Sequence, residues 1–235
     1  MKENILGVQI SPLNYEQLIS SLLKDIDEKR KAFIVAINPE KIMKAQEDEQ
    51  LKELLNKATY QIPDGIGVIL ASRLKGGNIH SRVTGIDLML KICEAAAKHH
   101  KKVFLYGAKP GIAEKAKEEL IKQFPGLNIV GVLHGYEKDI DIIRHTINEA
   151  KPDIIFVALG SPRQEYWILE NMNTLYPMIF QGVGGSFDVI SGNLKRAPES
   201  VQKLGLEWLY RLIKEPWRWK RQLELPKFLL RVLKR

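Results

Sequence analysis

Residues 154–165 read IIFVALGSPRQE, and this stretch decides the fold class of the chain. An apolar run rich in β-branched residues, Ile154 to Leu159, ends at Gly160. Pro162 then lies at the first turn of a segment whose apolar residues have helical spacing. Because strands of a parallel sheet are buried on both faces and lead into helices, the stretch predicts one strand–helix unit of such a sheet.

The same pattern recurs on both sides of this unit. Further apolar runs lie at 33–37, 103–106, 129–133 and 178–183, and helical spacing occupies 40–58, 112–124, 140–150 and 163–172. This alternation predicts an α/β fold, a Rossmann-like and mostly parallel sheet with helices on both faces. With 235 residues, 45% of them apolar, the chain is long enough for one such domain plus an appendage.

The composition also argues against several classes of protein. No apolar run approaches the roughly 18 residues that span a bilayer, and no signal-peptide pattern follows Met1, so we expect a cytosolic protein. The single cysteine, Cys93, rules out an intrachain disulfide and is expected to be a small core residue.

The net charge of +8 lies entirely at the end of the chain. Residues 195–235 hold twelve Lys or Arg and four Asp or Glu, whereas residues 1–194 hold 24 of each sign. Three of the four tryptophans, Trp208, Trp217 and Trp219, lie among these basic residues. Basic amphipathic helices with Trp and Leu favour anionic membrane surfaces. We therefore divide the chain into an α/β domain, residues 1–194, and a basic helical appendage, residues 195–235, expected to bind a membrane.

Candidate binding residues follow the predicted strands, where ligands bind in open α/β sheets. Asn38 is either a helix cap or a ligand, and Asp64 in Pro-Asp-Gly is either a turn residue or a general base. Arg82 precedes a predicted helix start, which suits an anion, although it is also expected as a solvent-facing side chain. Gln164 either supports the first turn of its helix or binds substrate.

Two glycine-containing loops are candidate sites for a nucleotide diphosphate. Gly107 and Ala108 join a strand to a helix, and Gly184, Gly185 and Asp188 follow the last strand. Such loops present backbone N–H groups to phosphate or allow close approach of a ligand, but they also serve purely conformational needs.

Acidic pairs of the kind that bind metal ions occur twice, in the triplets Asp25–Asp27 and Asp139–Asp141. Both fall within or at the start of helical patterns, so we interpret them as solvated faces and predict no catalytic metal.

Taken together, these motifs resemble the WecG/TagA/CpsF glycosyltransferases. The resemblance covers nearly the whole chain and rests on motifs that are weak alone and specific together. They are residues 38–40 (NPE), 63–67 (PDGIG), 106–108 (YGA), 158–165 (ALGSPRQE), 184–188 (GGSFD), 196–198 (RAP), 207–208 (EW) and 216–221 (PWRWKR).

The resemblance implies an inverting transfer of N-acetylmannosamine from UDP-N-acetylmannosamine to the 4-hydroxyl of N-acetylglucosamine on undecaprenyl diphosphate, a step of wall teichoic acid synthesis. No cofactor is implied beyond the UDP-sugar substrate. Asp64 would be the base, Arg82 and Gln164 would hold diphosphate or sugar, and residues 184–188 would hold the nucleotide. Three arginines of the appendage would close over the site and neutralise diphosphate charge: Arg211, Arg218 and Arg221. The enzyme would act at the inner face of the cell membrane, with a homo-oligomer possible in solution.

Three alternatives stay open at this point. A nucleotide-binding dehydrogenase would share the sheet, although G-x-G-x-x-G is missing after the first strand. A basic nucleic-acid-binding module would explain the charge but not the aromatic content of residues 195–235. Within the family, the donor is alternatively a related sugar such as N-acetylmannosaminuronate. One departure is Ala36, where close relatives often carry threonine; loss of that hydroxyl is expected to weaken binding or activity.

Overall fold

The computed structural model describes residues 1–214, 216, 219 and 224–234. Its strands are β1 (Glu3–Ile5), β2 (Val8–Ile10), β3 (Ala32–Ile37), β4 (Tyr60–Pro63), β5 (Lys102–Gly107), β6 (Asn128–Leu133), β7 (Ile154–Ala158) and β8 (Ile179–Gly182). Its helices are α1 (Tyr15–Asp27), α2 (Pro39–Ala45), α3 (Glu49–Lys57), α4 (Ile66–Leu74), α5 (Gly85–Lys98), α6 (Ile112–Gln123), α7 (Ile140–Ala150), α8 (Arg163–Asn171), α9 (Ser186–Ile190), α10 (Glu199–Lys203), α11 (Glu207–Lys214) and α12 (Glu224–Leu233).

Six strands form one sheet in the order β4-β3-β8-β7-β5-β6, and every neighbouring pair is parallel. The predicted α/β fold is confirmed. A short antiparallel hairpin of β1 and β2, which the sequence pattern does not predict, forms a second sheet outside the main one. Its three-residue strands give too few alternating positions for a periodic signal.

Helices cover both faces of the sheet, as expected. One core contains buried residues of α2, α3, α4, α7 and α8 together with the hairpin, and the other contains buried residues of α1, α5, α6 and α9. Cys93 lies buried in the second core, where burial raises the pKa of its thiol. The prediction of a small core cysteine is confirmed.

Two local predictions were wrong. Residues 40–58 form two helices, because the chain leaves α2 at Gln46 and Asp48 then caps α3 by accepting a hydrogen bond from the Leu51 N–H. Asp25 is not on a solvated face. It is buried, and it accepts hydrogen bonds from the hydroxyl of Tyr60 at 2.7 Å and from Nε of Arg30 at 3.0 Å.

The last described helix packs on the main domain. Phe228 and Val232 of α12 are buried in the core that contains α2 and α4. A Cβ atom added to Gly67 of α4 would lie 2.7 Å from Cδ1 of Leu225 and 2.6 Å from Cγ of Pro39, so these helices approach closely at a glycine. Residues beyond 194 therefore contribute to the core, while the functional division of the chain at that residue stays a prediction.

Candidate active site

Asp64 lies at the carboxyl end of β4, half-buried at the sheet edge where ligands bind in this fold class. Its Oδ2 atom accepts a hydrogen bond of 3.3 Å from the N–H of Gly85, the first residue of α5. Burial raises the pKa of this carboxyl group. The Gly85 N–H and the positive charges of Arg82 and Lys41 oppose the rise, and the negative charge of Glu207 adds to it. A carboxylate with a raised pKa is a stronger base, provided it stays ionised at the working pH.

Ala36 and Asp64 both lie near Gly85, the first residue of α5. A Cβ atom added to Gly85 would be 3.7 Å from Cβ of Ala36 and 3.9 Å from Oδ2 of Asp64. Both side chains therefore face the first turn of α5. Position 36 and the predicted base thus meet the same end of α5, and the effect of a hydroxyl at position 36 stays a prediction.

Arg82 is a mostly buried side chain that already has protein partners. Its Nη1 donates to the carbonyl of Gln202 at 3.1 Å, and its Nη2 forms a short ion pair with Oε2 of Glu207. The interpretation of Arg82 as a solvent-facing arginine is wrong. Its predicted role in binding diphosphate stays a prediction, and any such ligand would meet a guanidinium that is already fixed in place.

Glu207 belongs to a longer chain of charges that also includes Arg196 and Asp87. Nε of Arg196 lies 3.4 Å from Oε1 of Glu207, and its two terminal nitrogens contact the Asp87 carboxylate at 2.7 and 2.9 Å. Burial alone would raise the pKa of Asp87, but hydrogen bonds from Arg196 and Thr84 make the net shift downward. This chain, Arg82–Glu207–Arg196–Asp87, joins residues 196–207 to the domain and is called the polar bridge below.

The side-chain amide of Gln164 is also hydrogen-bonded within the protein. Its Oε1 accepts from the Gly184 N–H at 2.9 Å, and its Nε2 donates to Oε1 of Glu165 at 3.2 Å. Glu165 is fully buried and pairs with Nζ of Lys41 at 2.8 Å. Gln164 therefore touches the glycine loop directly, and its contact with substrate stays a prediction.

The two glycine loops differ in what they offer a ligand. In the first, Gly107 and Ala108 both have positive φ angles, 122° and 60°, and the Ala108 N–H donates to the carbonyl of Ala158 at 2.8 Å. That amide is occupied, and Gly107 is required because a Cβ atom would lie 2.4 Å from the same carbonyl oxygen. In the second loop, a Cβ atom added to Gly184 or Gly185 would meet nothing within 4 Å among the described residues. That part of the chain therefore leaves space in front of the second loop.

The remaining domain candidates have local roles as well. Asn38 caps α2, its Oδ1 accepting from the Lys41 N–H at 2.8 Å, and its Cβ lies 3.9 Å from a Cβ atom built on Gly65. The capping interpretation is confirmed, and Asn38 also adjoins the turn that carries Asp64. Asp188, in the first turn of the five-residue helix α9, accepts from Nδ2 of Asn193 at 2.9 Å.

The three arginines of the appendage are only partly covered by the structure. Arg211 lies in α11, but its side chain falls outside what is described, and Arg218 and Arg221 lie outside the described residues altogether. Within the described ranges, no helix combines the length and apolar character required to cross a membrane. Across the same ranges, no three His, Cys, Asp or Glu residues group closely enough to hold a metal ion.

Sequence reasoning missed several residues of this region. Glu165, Arg196 and Glu207 lie within the recognised motifs, but the sequence predicts for Glu165 only support of the first turn of its helix, and for Arg196 and Glu207 no role of their own. Burial is what distinguishes Glu165 from the many surface glutamates. The sequence does not predict a role for Lys41, because a lysine at the third position of a helix is ordinarily exposed to solvent.

Comparison with known proteins adds the chemistry that geometry leaves open. The model of the "Glycosyl transferase WecG/TagA/CpsF family" matches residues 3–235. The chain is 43% identical over 210 residues to a Bacillus subtilis (strain 168) protein, covering 89% of this chain and 82% of that protein. It is 38% identical to a Bacillus spizizenii protein, covering 97% and 92%, and 35% identical to a Staphylococcus aureus protein, covering 99% and 92%. All three are named N-acetylglucosaminyldiphosphoundecaprenol N-acetyl-beta-D-mannosaminyltransferase.

Proposed function

Because the chain belongs to the WecG/TagA/CpsF glycosyltransferase family, we propose that it transfers N-acetylmannosamine from UDP-N-acetylmannosamine to the 4-hydroxyl of N-acetylglucosamine on undecaprenyl diphosphate. The observation that carries this proposal is the shared name of three relatives, each of which the chain matches over most of both lengths. That name contains the acceptor and the transferred sugar, whereas the UDP of the donor comes from the resemblance of the motifs. The product is the linkage disaccharide of wall teichoic acid.

The chemistry we propose is a single displacement with Asp64 as the general base. The carboxylate removes the proton of the acceptor 4-hydroxyl while its oxygen forms a bond to the anomeric carbon of the donor. The bond from that carbon to the UDP oxygen breaks on the opposite face, so the configuration inverts and UDP leaves as the anion. The half-buried position and raised pKa of Asp64 support this role.

The negative charge that develops on the departing UDP needs cations or N–H groups nearby. We assign this task to Arg82, to the N–H group of Gly185, since that of Gly184 already donates to Gln164, and to Arg211, Arg218 and Arg221 of the appendage. Arginine suits the task because its planar guanidinium binds two phosphate oxygens at once. The fixed position of Arg82 in the polar bridge supports its assignment, since a preorganised cation need not reorganise when charge develops.

We also propose that residues 195–235 hold the enzyme at the inner face of the cell membrane. The location of the whole net charge in this segment supports contact with anionic lipids. Exposed apolar side chains support insertion into the interface: Leu209, Ile213, Trp219, Leu230 and Leu233.

The decisive test is UDP release from UDP-N-acetylmannosamine in the presence of a lipid-diphosphate N-acetylglucosamine acceptor. We expect acceptor-dependent release by the unmodified chain and a loss of about 10²–10⁴-fold in Asp64→Asn, the range that a general base contributes. Asp48→Asn is the matched control, because Asp48 is an exposed helix cap and asparagine caps equally well.

Each outcome bears on a different part of the proposal. Release that depends on N-acetylmannosaminuronate instead would overturn the donor. Full activity of Asp64→Asn would overturn the assignment of Asp64 as the general base.

We propose that no metal ion takes part in the reaction, since Asp25 and Asp139 of the two acidic triplets have structural roles. Loss of activity on adding EDTA would contradict this.

A further inference from the structure

Three side chains form a continuous contact path from helix α2 to the glycine loop after β8. Nζ of Lys41 contacts Oε1 of Glu165 at 2.8 Å, and Nε2 of Gln164 donates to the same oxygen at 3.2 Å. Oε1 of Gln164 then accepts from the Gly184 N–H at 2.9 Å. This path is called the buried relay below.

The relay fixes which way the Gln164 amide points. A backbone N–H can only donate and an ionised carboxylate can only accept. If the Gln164 amide were flipped, its NH2 group would face the Gly184 N–H and its carbonyl oxygen would face the Glu165 carboxylate. Both contacts would become repulsive, so the charge on Glu165 selects the orientation in which Gln164 holds the loop.

Packing leaves the relay little freedom to rearrange. The side chain of Glu165 is 1% exposed and that of Lys41 is 11% exposed, so the ion pair is shielded from solvent. A Cβ atom added to Gly182 would lie 2.7 Å from Nε2 of Gln164, so the amide packs closely against the end of β8, directly before the loop. Oε2 of Glu165 has no hydrogen-bond partner within the described part of the chain. A single carboxylate oxygen thus serves both neighbours and couples Lys41 to Gln164.

A buried ion pair of this kind needs a reason, because removing two charges from water is costly and apolar residues of similar size often stabilise a protein as well or better. The other half of the relay supplies one. Gly184 has a φ of 54°, and no atom of the residues that the structure describes lies within 4 Å of a Cβ atom built on Gly184 or Gly185. A loop with unrestrained glycines would otherwise sample many conformations and would have to be ordered whenever a ligand bound.

We propose that Lys41 and Glu165 are positioning residues, which act through Gln164 to hold the loop 182–185 ready for the diphosphate of the donor. They do not touch the substrate themselves. Gln164 is correspondingly a loop-holding residue, and its contact with Gly184 is the step that transmits the effect. The proposal rests on the proposed function only in naming the donor as the ligand of this loop.

The test is the double variant Lys41→Met plus Glu165→Gln. Removing both charges together avoids leaving one charge buried and unpaired, and both replacements keep the approximate side-chain volume. The amide introduced at position 165 can present either an oxygen or an NH2 group to Gln164, so the orientation of the Gln164 amide is no longer selected. The matched control is Lys101→Met plus Asp27→Asn, an ion pair at 2.8 Å that makes no contact with the loop.

Two readouts separate positioning from general stability. By NMR, hydrogen exchange of the Gly184 amide is expected to accelerate about tenfold in the double variant, the equivalent of one lost hydrogen bond. In steady-state kinetics the donor KM is expected to rise about tenfold, while kcat and the acceptor KM change much less. The control variant is expected to change neither.

Hydrogen exchange of the Gly184 amide can be measured without any enzymatic activity, so this readout stays informative if the proposed reaction is wrong. Faster exchange without any sugar transfer by the unmodified chain would support the relay and refute the proposed function. Unchanged exchange together with an unchanged donor KM in a folded double variant would overturn the relay. A fall in kcat alone, with the donor KM constant, would also overturn it.

Discussion

The buried relay and the polar bridge are both chains of polar and charged side chains, yet they differ in what they join. The relay lies wholly within residues 41–184 and its ion pair is almost completely shielded from water. The bridge joins the domain to residues 196–207, and its side chains are between 18% and 33% exposed. One network orders the domain itself, and the other holds the appendage against it.

This difference shows that the appendage has two attachments of different chemistry. The polar bridge holds its beginning, and the apolar contacts of α12, at Leu225, Phe228 and Val232, hold its end. The predicted substrate arginines, Arg211 to Arg221, lie between the two in the sequence. Deleting residues 195–235 would therefore expose the core as well as remove these arginines, so substitutions in the full chain are the sharper way to separate the attachments.

The largest effect is expected from breaking the apolar attachment with Phe228→Ala. Phe228 is fully buried, and truncating a buried phenylalanine leaves a cavity that costs about 3–5 kcal/mol of unfolding free energy. Urea denaturation of the purified variant measures the loss. Leu230→Ala, on the exposed side of the same helix, is the control and is expected to change stability little. Equal stabilities would show that α12 does not pack on the core.

A smaller effect is expected from breaking the polar attachment with Asp87→Asn. The hydrogen bonds from Arg196 and Thr84 are charge-assisted, and their loss should cost roughly 1 kcal/mol after allowance for partial exposure. The pKa of Asp87 is lowered in the folded state. Its contribution is therefore fully present above the ordinary aspartate pKa of about 3.9 and is lost as the pH falls through the lower folded value.

Denaturation of the unmodified chain and of Asp87→Asn at several pH values checks this expectation. The stability difference should be constant near neutral pH and should shrink below about pH 4. A difference that grows in acid would contradict the assignment of a lowered pKa.

The sequence predicted the fold well because parallel strands and their helices leave strong periodic signals. Residues 140–150 were predicted as helical and form α7 with the same bounds. The hairpin of β1 and β2 and the break at Gln46 to Asp48 were missed, since three-residue strands and a polar helix-to-helix turn lack such signals. Asp25 was misassigned because its partners, Tyr60 and Arg30, meet it only in the folded chain.

The sequence placed the candidate residues at the carboxyl edge of the sheet but did not reveal which partners they contact. Strand ends located Asp64, Asn38 and Gln164, because parallel strands bring their carboxyl ends to one edge. The amino-acid sequence does not indicate that Gln164 contacts Gly184, or that Glu207 pairs with Arg82, which is 125 residues away. Such pairings depend on how distant segments pack, which one sequence does not reveal.

Ala36→Thr, which places a hydroxyl group in the domain near Gly85 and Asp64, is expected to raise kcat/KM modestly. Position 36 faces the first turn of α5, and threonine is well suited to a strand. One additional hydrogen bond is worth about 1 kcal/mol, which corresponds to an increase of about fivefold in kcat/KM. Ala36→Val has nearly the same shape without the hydroxyl and should give no gain. Equal gains in both variants would assign the effect to packing.

The smallest effect is expected from Glu207→Gln, which asks whether the appendage influences the base of the domain. The negative charge of Glu207 contributes to the raised pKa of Asp64, whereas Arg82 lowers it. Removing that charge should lower the pKa of Asp64 in two ways. It ends the repulsion between the two carboxylates, and it leaves the positive charge of Arg82 uncompensated, so that both effects favour the ionised form of Asp64. The acid limb of kcat/KM is therefore expected to move to lower pH. A control is Glu224→Gln, whose carboxylate pairs with Lys227 within α12 and should leave the limb in place. An acid limb that stays fixed in Glu207→Gln would mean that the polar bridge holds the appendage mechanically and has no electrostatic part in the reaction.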